Sequence, residues 1–104
     1  MNNEELEKIK QKALEEHIPI IMDDTLEVME KYLKEIKPER ILEIGTAVGY
    51  SAMCFTKFLS ENGIIDTIER DEQRVKQAKE NIKKLEWKIK LIFMKEMQLK
   101  FCLL

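Results

Sequence analysis

The stretch Arg40-Ile41-Leu42-Glu43-Ile44-Gly45-Thr46-Ala47-Val48-Gly49-Tyr50-Ser51 decides the fold of this chain. A short run rich in branched apolar residues ends at a glycine turn, and residues 51–59 then place apolar side chains at helical spacing. This order predicts a buried strand, a tight turn and a helix. In open α/β sheets, the carboxyl end of such a strand is where nucleotide-type ligands bind.

The same pattern recurs downstream. Residues 64–69 and 88–93 are predicted strands, and the helix between them is expected to begin at Asp71, a residue type that suits the N-cap. Strands joined by helices of this length pair in parallel through right-handed crossovers. The sequence therefore predicts an α/β fold: a truncated Rossmann-like sheet of three parallel strands in the order 3-2-1 with flanking helices.

Two amphipathic helices are predicted ahead of the first strand. The first covers residues 3–16, and Pro19 then breaks the pattern because proline disfavours helical geometry in the residue before it. Asp24 and Glu27 fit a capping box at the start of the second helix, which Pro38 ends.

Three segments follow from these boundaries. We expect a helical lead-in at 1–38, the amino-terminal half of a ligand-binding α/β domain at 39–93 and an aberrant tail at 94–104.

Composition limits the function classes. The chain has 104 residues, 44 % hydrophobic and 37 % charged, which suits one small globular domain. Its 18 basic and 20 acidic residues are interspersed, which argues against a dedicated nucleic-acid surface. The polar start and the lack of a long apolar run predict a cytoplasmic protein without membrane contact, and the distant pair Cys54 and Cys102 predicts neither a disulfide nor a zinc site.

The spacing of glycines and acidic residues points to an adenosine-containing ligand. Glu69 lies 24 residues after Gly45, at the end of the second strand, where a carboxylate can bind both ribose hydroxyls. A dinucleotide fingerprint would need glycines where Ala47 and Tyr50 stand, and no Walker lysine is present. A ligand without a pyrophosphate is therefore favoured over NAD.

Residues 43–52, with the segment 67–71, resemble the class I methyltransferases of the catechol and caffeoyl-CoA O-methyltransferase type. Within that group the chain is most similar to the bacterial tRNA 5-hydroxyuridine methyltransferases, whose lead-in residues 18–22 also match. The resemblance covers about residues 4–93 and implies S-adenosylmethionine (SAM) as the cofactor.

The resemblance also assigns cofactor-binding residues. The glycine turn would wrap the methionine portion, Ser51 would hold its carboxylate and Glu69 would bind the ribose hydroxyls. The backbone near Met22 would line the same pocket, and Glu43 would make the field around the sulfonium negative. The assigned residues are Met22, Glu43, Gly45, Thr46, Gly49, Ser51 and Glu69.

Simpler interpretations stay open for three of these residues. Glu43 could cap the strand end structurally, Ser51 could be only an N-cap, and Glu69 could be only a surface charge.

The resemblance predicts what this chain lacks. Members of this family bind a divalent cation, expected to be Mg²⁺, through oxygen ligands beyond the fourth strand, so neither metal ligands nor catalytic residues are assigned here. The expected activity is O-methylation of a hydroxyl, with 5-hydroxyuridine of tRNA as the candidate substrate. The alternatives are a non-catalytic truncated remnant and a small nucleotide-binding or interaction module. The uncovered edge of the first strand also predicts a homodimer.

The tail departs from the family after Phe93. Read from the third base of that codon, permitted codons spell Tyr-Glu-Gly-Asp-Ala-Ile-Glu-Val-Leu-Pro, which resembles the family continuation. The hypothesis is a frameshift near Phe93, either real or a sequencing error.

Overall fold

The structure is a computed structural model that describes residues 3–94. Helices and strands alternate after two leading helices. The elements are α1 (Asn3–Glu15), α2 (Asp23–Ile36), β1 (Arg40–Ile44), α3 (Tyr50–Phe55), β2 (Ile64–Glu69), α4 (Glu72–Ile82) and β3 (Ile89–Phe93). A 3-10 turn extends α3 to Phe58, and another extends α4 to Leu85.

The three strands form one parallel sheet with β2 in the centre. Ile41 lies opposite Ile65, and Ile65 lies opposite Ile89. The predicted strand order and the Rossmann-like architecture are confirmed. The backbone N–H of Met94 donates to the carbonyl of Glu69 at 2.9 Å, which continues the pairing one residue past β3. Residues 95–104 of the predicted tail lie outside the described residues.

The core lies on one face of this sheet because side chains alternate along each strand. Ile65 and Ile89 are buried there against α3, whose Ala52 and Met53 are also buried. Leu42 and Ile44 point to the other face and are 66 % and 60 % exposed. One side of β1 is therefore apolar and uncovered by the residues that the structure describes.

Helix starts show what local sequence patterns can and cannot fix. Asp71 caps α4 as predicted, and its Oδ1 accepts hydrogen bonds from the N–H groups of Gln73 (2.9 Å) and Arg74 (3.2 Å). The predicted capping box at Asp24 is wrong. α2 begins at Asp23 with Met22 as its N-cap and no side-chain cap, so Asp24 lies inside the first turn.

Within residues 3–94, no helix is long and apolar enough to cross a membrane.

The turn after β1 needs left-handed backbone at three positions. Gly45 has φ 91°, Ala47 has φ 50° and Gly49 has φ 88°. A Cβ built on Gly49 would lie 3.0 Å from the side chain of Ile82, whereas a Cβ on Gly45 would meet no atom within 4 Å. Position 49 therefore requires glycine for both its backbone conformation and its packing against α4. Position 45 requires glycine for its backbone conformation alone.

This difference predicts a ranking of two alanine substitutions. Gly45→Ala should lower the free energy of unfolding by about 1–2 kcal/mol through backbone strain. Gly49→Ala should cost more, about 2–4 kcal/mol, because the Ile82 side chain must also give way to the new methyl group. Urea denaturation followed by circular dichroism measures both. Equal losses for the two variants would contradict the packing role of Gly49.

Candidate cofactor-binding site

The glycine turn is anchored to the carboxyl end of the sheet. The Gly45 N–H donates to the Ile68 carbonyl at 2.8 Å, so the turn continues the β1–β2 pairing. The Gly49 N–H then donates back to the Thr46 carbonyl at 2.9 Å. From α4, Asn81 Nδ2 donates to the Val48 carbonyl at 2.9 Å. Hydrogen bonds from β2, from within the turn and from α4 thus stabilise the turn.

A cavity of about 180 Å³ opens between this turn and the segment that precedes α2. That volume is below the roughly 300–1,000 Å³ of a site for a whole drug-sized ligand, so it suits one small portion of a larger molecule. Its wall is formed by Pro19, Ile20, Ile21, Gly45, Thr46, Ala47, Tyr50 and Ser51.

A hydroxyl–carboxylate network lies beside this cavity. Glu43 accepts a hydrogen bond from Ser51 Oγ at one carboxylate oxygen and from Thr67 Oγ1 (2.7 Å) at the other. Thr67 Oγ1 also lies 2.7 Å from Thr46 Oγ1. The network joins β1, β2, the turn and α3 through side chains alone.

Burial determines the protonation behaviour of this network. Loss of solvent raises the pKa of Glu43, and the nearby charge of Glu69 raises it further. The hydrogen bonds from Ser51 and Thr67 favour the ionised form and oppose the shift, but the pKa stays above its usual value. Glu43 is therefore a carboxylate that the fold makes harder to ionise.

Glu69 ties the turn to the end of β2. Its Oε1 accepts from the Ala47 N–H at 2.9 Å, and its Oε2 accepts from the N–H groups of Arg70 (3.0 Å) and Asp71 (2.9 Å). A carboxylate offers about four acceptor positions, so this arrangement leaves capacity for a further donor. Glu69 is therefore more than a surface charge.

The structure brings most of the predicted residues to this place. Glu43, Gly45, Thr46 and Ser51 lie in the network or the cavity wall, while Glu69 and Gly49 hold the turn. Met22 lies just beyond the wall residue Ile21, is 69 % exposed and is the N-cap of α2.

Sequence reasoning missed three residues that build the site. Thr67 is fully buried in β2, and its signal was a polar residue at an inward position of a predicted strand, two residues before Glu69. Asn81 holds the turn from α4, and no local pattern indicates that contact. Tyr50 lines the cavity, and burial raises the pKa of its phenol.

No group of three or more metal-ligating side chains (His, Cys, Asp or Glu) occurs among residues 3–94.

The raised pKa of Glu43 predicts a pH-dependent stability. An acid whose folded-state pKa is raised contributes stability at low pH that is lost as the pH rises through that pKa. Glutamine stays neutral and can still bond to both hydroxyls. We therefore expect Glu43→Gln to melt at a higher temperature than the wild type at pH 8, because the ionised carboxylate is the form that burial disfavours. The gain should vanish below the ordinary glutamate pKa of 4.5.

Thermal melts from pH 4 to pH 9 measure this effect, with the exposed residue Glu61 changed to glutamine as the control. A difference that does not depend on pH would show that the Glu43 charge is not the cause.

The sequence and the structure of this chain are similar to those of known methyltransferases. A protein-L-isoaspartate O-methyltransferase from Fervidobacterium nodosum is 40 % identical over 55 residues, which are 53 % of this chain and 28 % of that protein. A solved candidate caffeoyl-CoA O-methyltransferase from Staphylococcus aureus is 32 % identical with a TM-score of 0.79, over 86 % of this chain and 43 % of the other. The O-methyltransferase TomG from Streptomyces achromogenes, solved with SAM, has a TM-score of 0.79 at 21 % identity, over 99 % of this chain and 48 % of the other.

The chain thus spans less than half the length of these relatives. The resemblance to class I O-methyltransferases is confirmed, while the tRNA subgroup and the frameshift stay predictions. The family model of protein-L-isoaspartate(D-aspartate) O-methyltransferase (PCMT) matches residues 9–100. Because this match covers most of the sequence, the chain belongs to the PCMT family of SAM-dependent methyltransferases.

Proposed function

We propose that this chain binds SAM at the carboxyl ends of β1 and β2 and forms the cofactor-binding half of an O-methyltransferase. The cavity between the glycine turn and residues 19–21, flanked by Glu43 and Glu69, carries the proposal. Membership of a methyltransferase family and the SAM bound by the solved relative TomG support it.

The open space at Gly45 fits a bound cofactor. Because a Cβ there would meet nothing within 4 Å, the missing side chain leaves room for a ligand to approach the backbone. The methionine portion would occupy the cavity beside Ser51, with Thr46 and Gly49 shaping the turn around it. Glu69 would accept from a ribose hydroxyl in addition to the N–H groups of Ala47, Arg70 and Asp71. Met22 would contribute backbone at the rim, next to Ile21.

The bound sulfonium supplies the methyl group for the reaction. The residues of this chain hold the cofactor, orient it and exclude water from its methionine end. The methyl acceptor and any divalent cation such as Mg²⁺ would be positioned by residues other than those described here.

The acceptor is proposed to be an oxygen nucleophile. A hydroxyl of 5-hydroxyuridine in tRNA is supported by the sequence resemblance alone. The name of the matching family instead specifies L-isoaspartate or D-aspartate in proteins. Labelled methyl transfer from SAM to tRNA or to an isoaspartyl peptide distinguishes the two acceptors, and cofactor binding with transfer to neither supports the non-catalytic alternative.

The proposed frameshift concerns residues beyond Phe93. The coding DNA tests it directly, since tail codons that are incompatible with the shifted reading would refute it.

A second copy of this chain is the proposed partner along β1. The Glu39 carbonyl and the Gly45 N–H bond to β2. Because backbone N–H and C=O groups alternate in direction along a strand, those of Leu42 face the open edge. Two antiparallel copies would place Leu42 opposite itself and Arg40 opposite Ile44, a self-complementary pairing.

The dimer proposal predicts a single-residue effect. Leu42→Lys should convert a wild-type dimer to a monomer in sedimentation velocity, because edge lysines oppose strand pairing. Trp87→Lys, which removes an exposed aromatic residue next to β3, is the control and should leave the dimer intact. A monomeric wild type at all concentrations would contradict the pairing.

Cofactor binding has its own test, which is titration calorimetry with S-adenosylhomocysteine. We expect saturable one-site binding that Glu69→Gln weakens about tenfold or more, because hydrogen bonds to a charged acceptor contribute roughly 1.5–3 kcal/mol. Glu61→Gln is the exposed control and should bind like the wild type. Folded wild-type protein that gives no binding heat would contradict the proposed function.

A further inference from the structure

A second cavity lies between α1 and α4, and we call it the α1–α4 crevice. Its volume is about 410 Å³, within the roughly 300–1,000 Å³ of small-molecule sites. It shares no wall residue with the cavity beside Ser51. Val48 of the glycine turn belongs to its wall, so the crevice reaches the turn through different residues. The crevice is therefore a separate candidate site.

Side-chain contacts mark both ends of the crevice. Lys84 Nζ lies 3.1 Å from Glu5 Oε1, and Gln77 Nε2 donates to Glu16 Oε2 at 3.4 Å. Because an α-helix rises about 1.5 Å per residue, the two contacts are roughly 16 Å apart along α1. The site between them is elongated and suits a chain-like ligand.

The floor of the crevice is aliphatic. Ala13, Ile18 and Val48 are buried there, and the partly buried Ile9 packs beside them. Hydrocarbon of a ligand that lay against these side chains would leave water, which is favourable. The floor therefore favours a ligand with an aliphatic portion.

The rim of the crevice carries more positive than negative charge. Lys8, Lys12 and Lys76 line it, and none of their ammonium groups makes an ion pair within residues 3–94. Glu16 and Glu80 also line it, but Glu16 already accepts a hydrogen bond from α4. Lys8 and Lys12 are one turn apart on α1, so both ammonium groups can reach one anionic group. The rim therefore complements a single negative charge.

We propose that the α1–α4 crevice binds a small amphipathic anion, an aliphatic chain that ends in a carboxylate. The chain would lie along the floor formed by Ile9, Ala13 and Ile18, and the carboxylate would contact Lys8 and Lys12. A cation of the same shape would meet the excess positive charge of the rim and bind more weakly.

Two contacts join the crevice to the glycine turn. Asn81 of the crevice wall donates to the Val48 carbonyl at 2.9 Å, and Gly49 lies against Ile82 of α4. A ligand in the crevice can contact Val48 only while the turn packs on α4 in this way. Since a ligand favours the conformation that it binds, an occupied crevice should stabilise the turn and strengthen cofactor binding. This coupling rests on the proposed SAM site, whereas the crevice site does not.

The test is a titration of the isotopically labelled chain with sodium octanoate, followed by two-dimensional amide NMR spectra. Octylammonium chloride is the ligand of opposite charge and similar shape. A double variant with Lys8→Gln and Lys12→Gln removes the proposed carboxylate contacts. Lys34→Gln is the matched control, because Lys34 is an exposed lysine of α2 that does not line the crevice.

Octanoate should give saturable shifts at the amides of Ala13, Val48 and Asn81, and not at Leu42 on the uncovered face of β1. Octylammonium should bind the wild type about fivefold more weakly, and the double variant should lose about fivefold in octanoate affinity, since contacts between exposed charges contribute modestly. Lys34→Gln should bind octanoate like the wild type.

The coupling is measured by titration calorimetry with S-adenosylhomocysteine. Saturating octanoate should tighten the binding of S-adenosylhomocysteine about fivefold, and S-adenosylhomocysteine should tighten octanoate binding by the same factor. Asn81→Leu removes the donor to Val48 and should abolish this mutual effect.

Three results separate the parts of the inference. Absence of saturable shifts in the crevice, or equal affinity of the wild type for octanoate and octylammonium, would overturn the anion site without the need for any variant. Unchanged S-adenosylhomocysteine affinity at saturating octanoate would overturn the coupling and leave the proposed function standing. Absence of S-adenosylhomocysteine binding by folded wild type would remove the proposed function and the coupling, while octanoate shifts in the crevice would still establish the anion site.

Discussion

The bond from the Glu69 carboxylate to the Ala47 N–H is the contact on which the site depends. In this turn with three left-handed residues, the Gly45 N–H finds a carbonyl on β2 and the Gly49 N–H finds one within the turn, whereas the Ala47 N–H needs a side-chain acceptor. Glu69 supplies an acceptor to the turn and to the two residues that follow β2. One carboxylate thus stabilises both the β1–α3 turn and residues 70–71, which connect β2 to α4.

A second constraint is the burial of Glu43 in the core side of the sheet. Burying a carboxylate is costly unless donors surround it. Ser51 and Thr67 provide those donors, and no buried side-chain nitrogen or oxygen in the described part of the chain lacks a hydrogen bond. Fully satisfied polar networks of this kind specify one arrangement of the surrounding elements. The network therefore contributes to the register of β1 against β2 as well as to the site.

The sequence predicted the elements well because their signals are local. Apolar spacing identified the strands and helices, and the Asp71 cap needed only the residues next to it. The Asp24 cap was misplaced because helix starts are ambiguous by a residue or two, and the main chain of Met22 already begins α2. The role of Thr67 could not be found because it depends on Glu43, 24 residues earlier, and on a strand register that only the folded sheet sets. The Asn81 contact with Val48 is nonlocal in the same way.

The site and the uncovered face of the sheet are separate parts of the molecule. The residues that form the network come from β1, β2, α3 and the turn. Their side chains lie on the face of the sheet that the helices cover. Leu42 and Ile44 belong to the opposite face and contribute nothing to that network. Alternation along β1 thus places Glu43 inward beside the ligand cavity and its two neighbours outward. A partner that covered Leu42 and Ile44 would stabilise the sheet without changing the hydrogen bonds of the network around Glu43. The network around Glu43 and the covering of β1 are therefore physically independent, although they meet in adjacent residues of one strand.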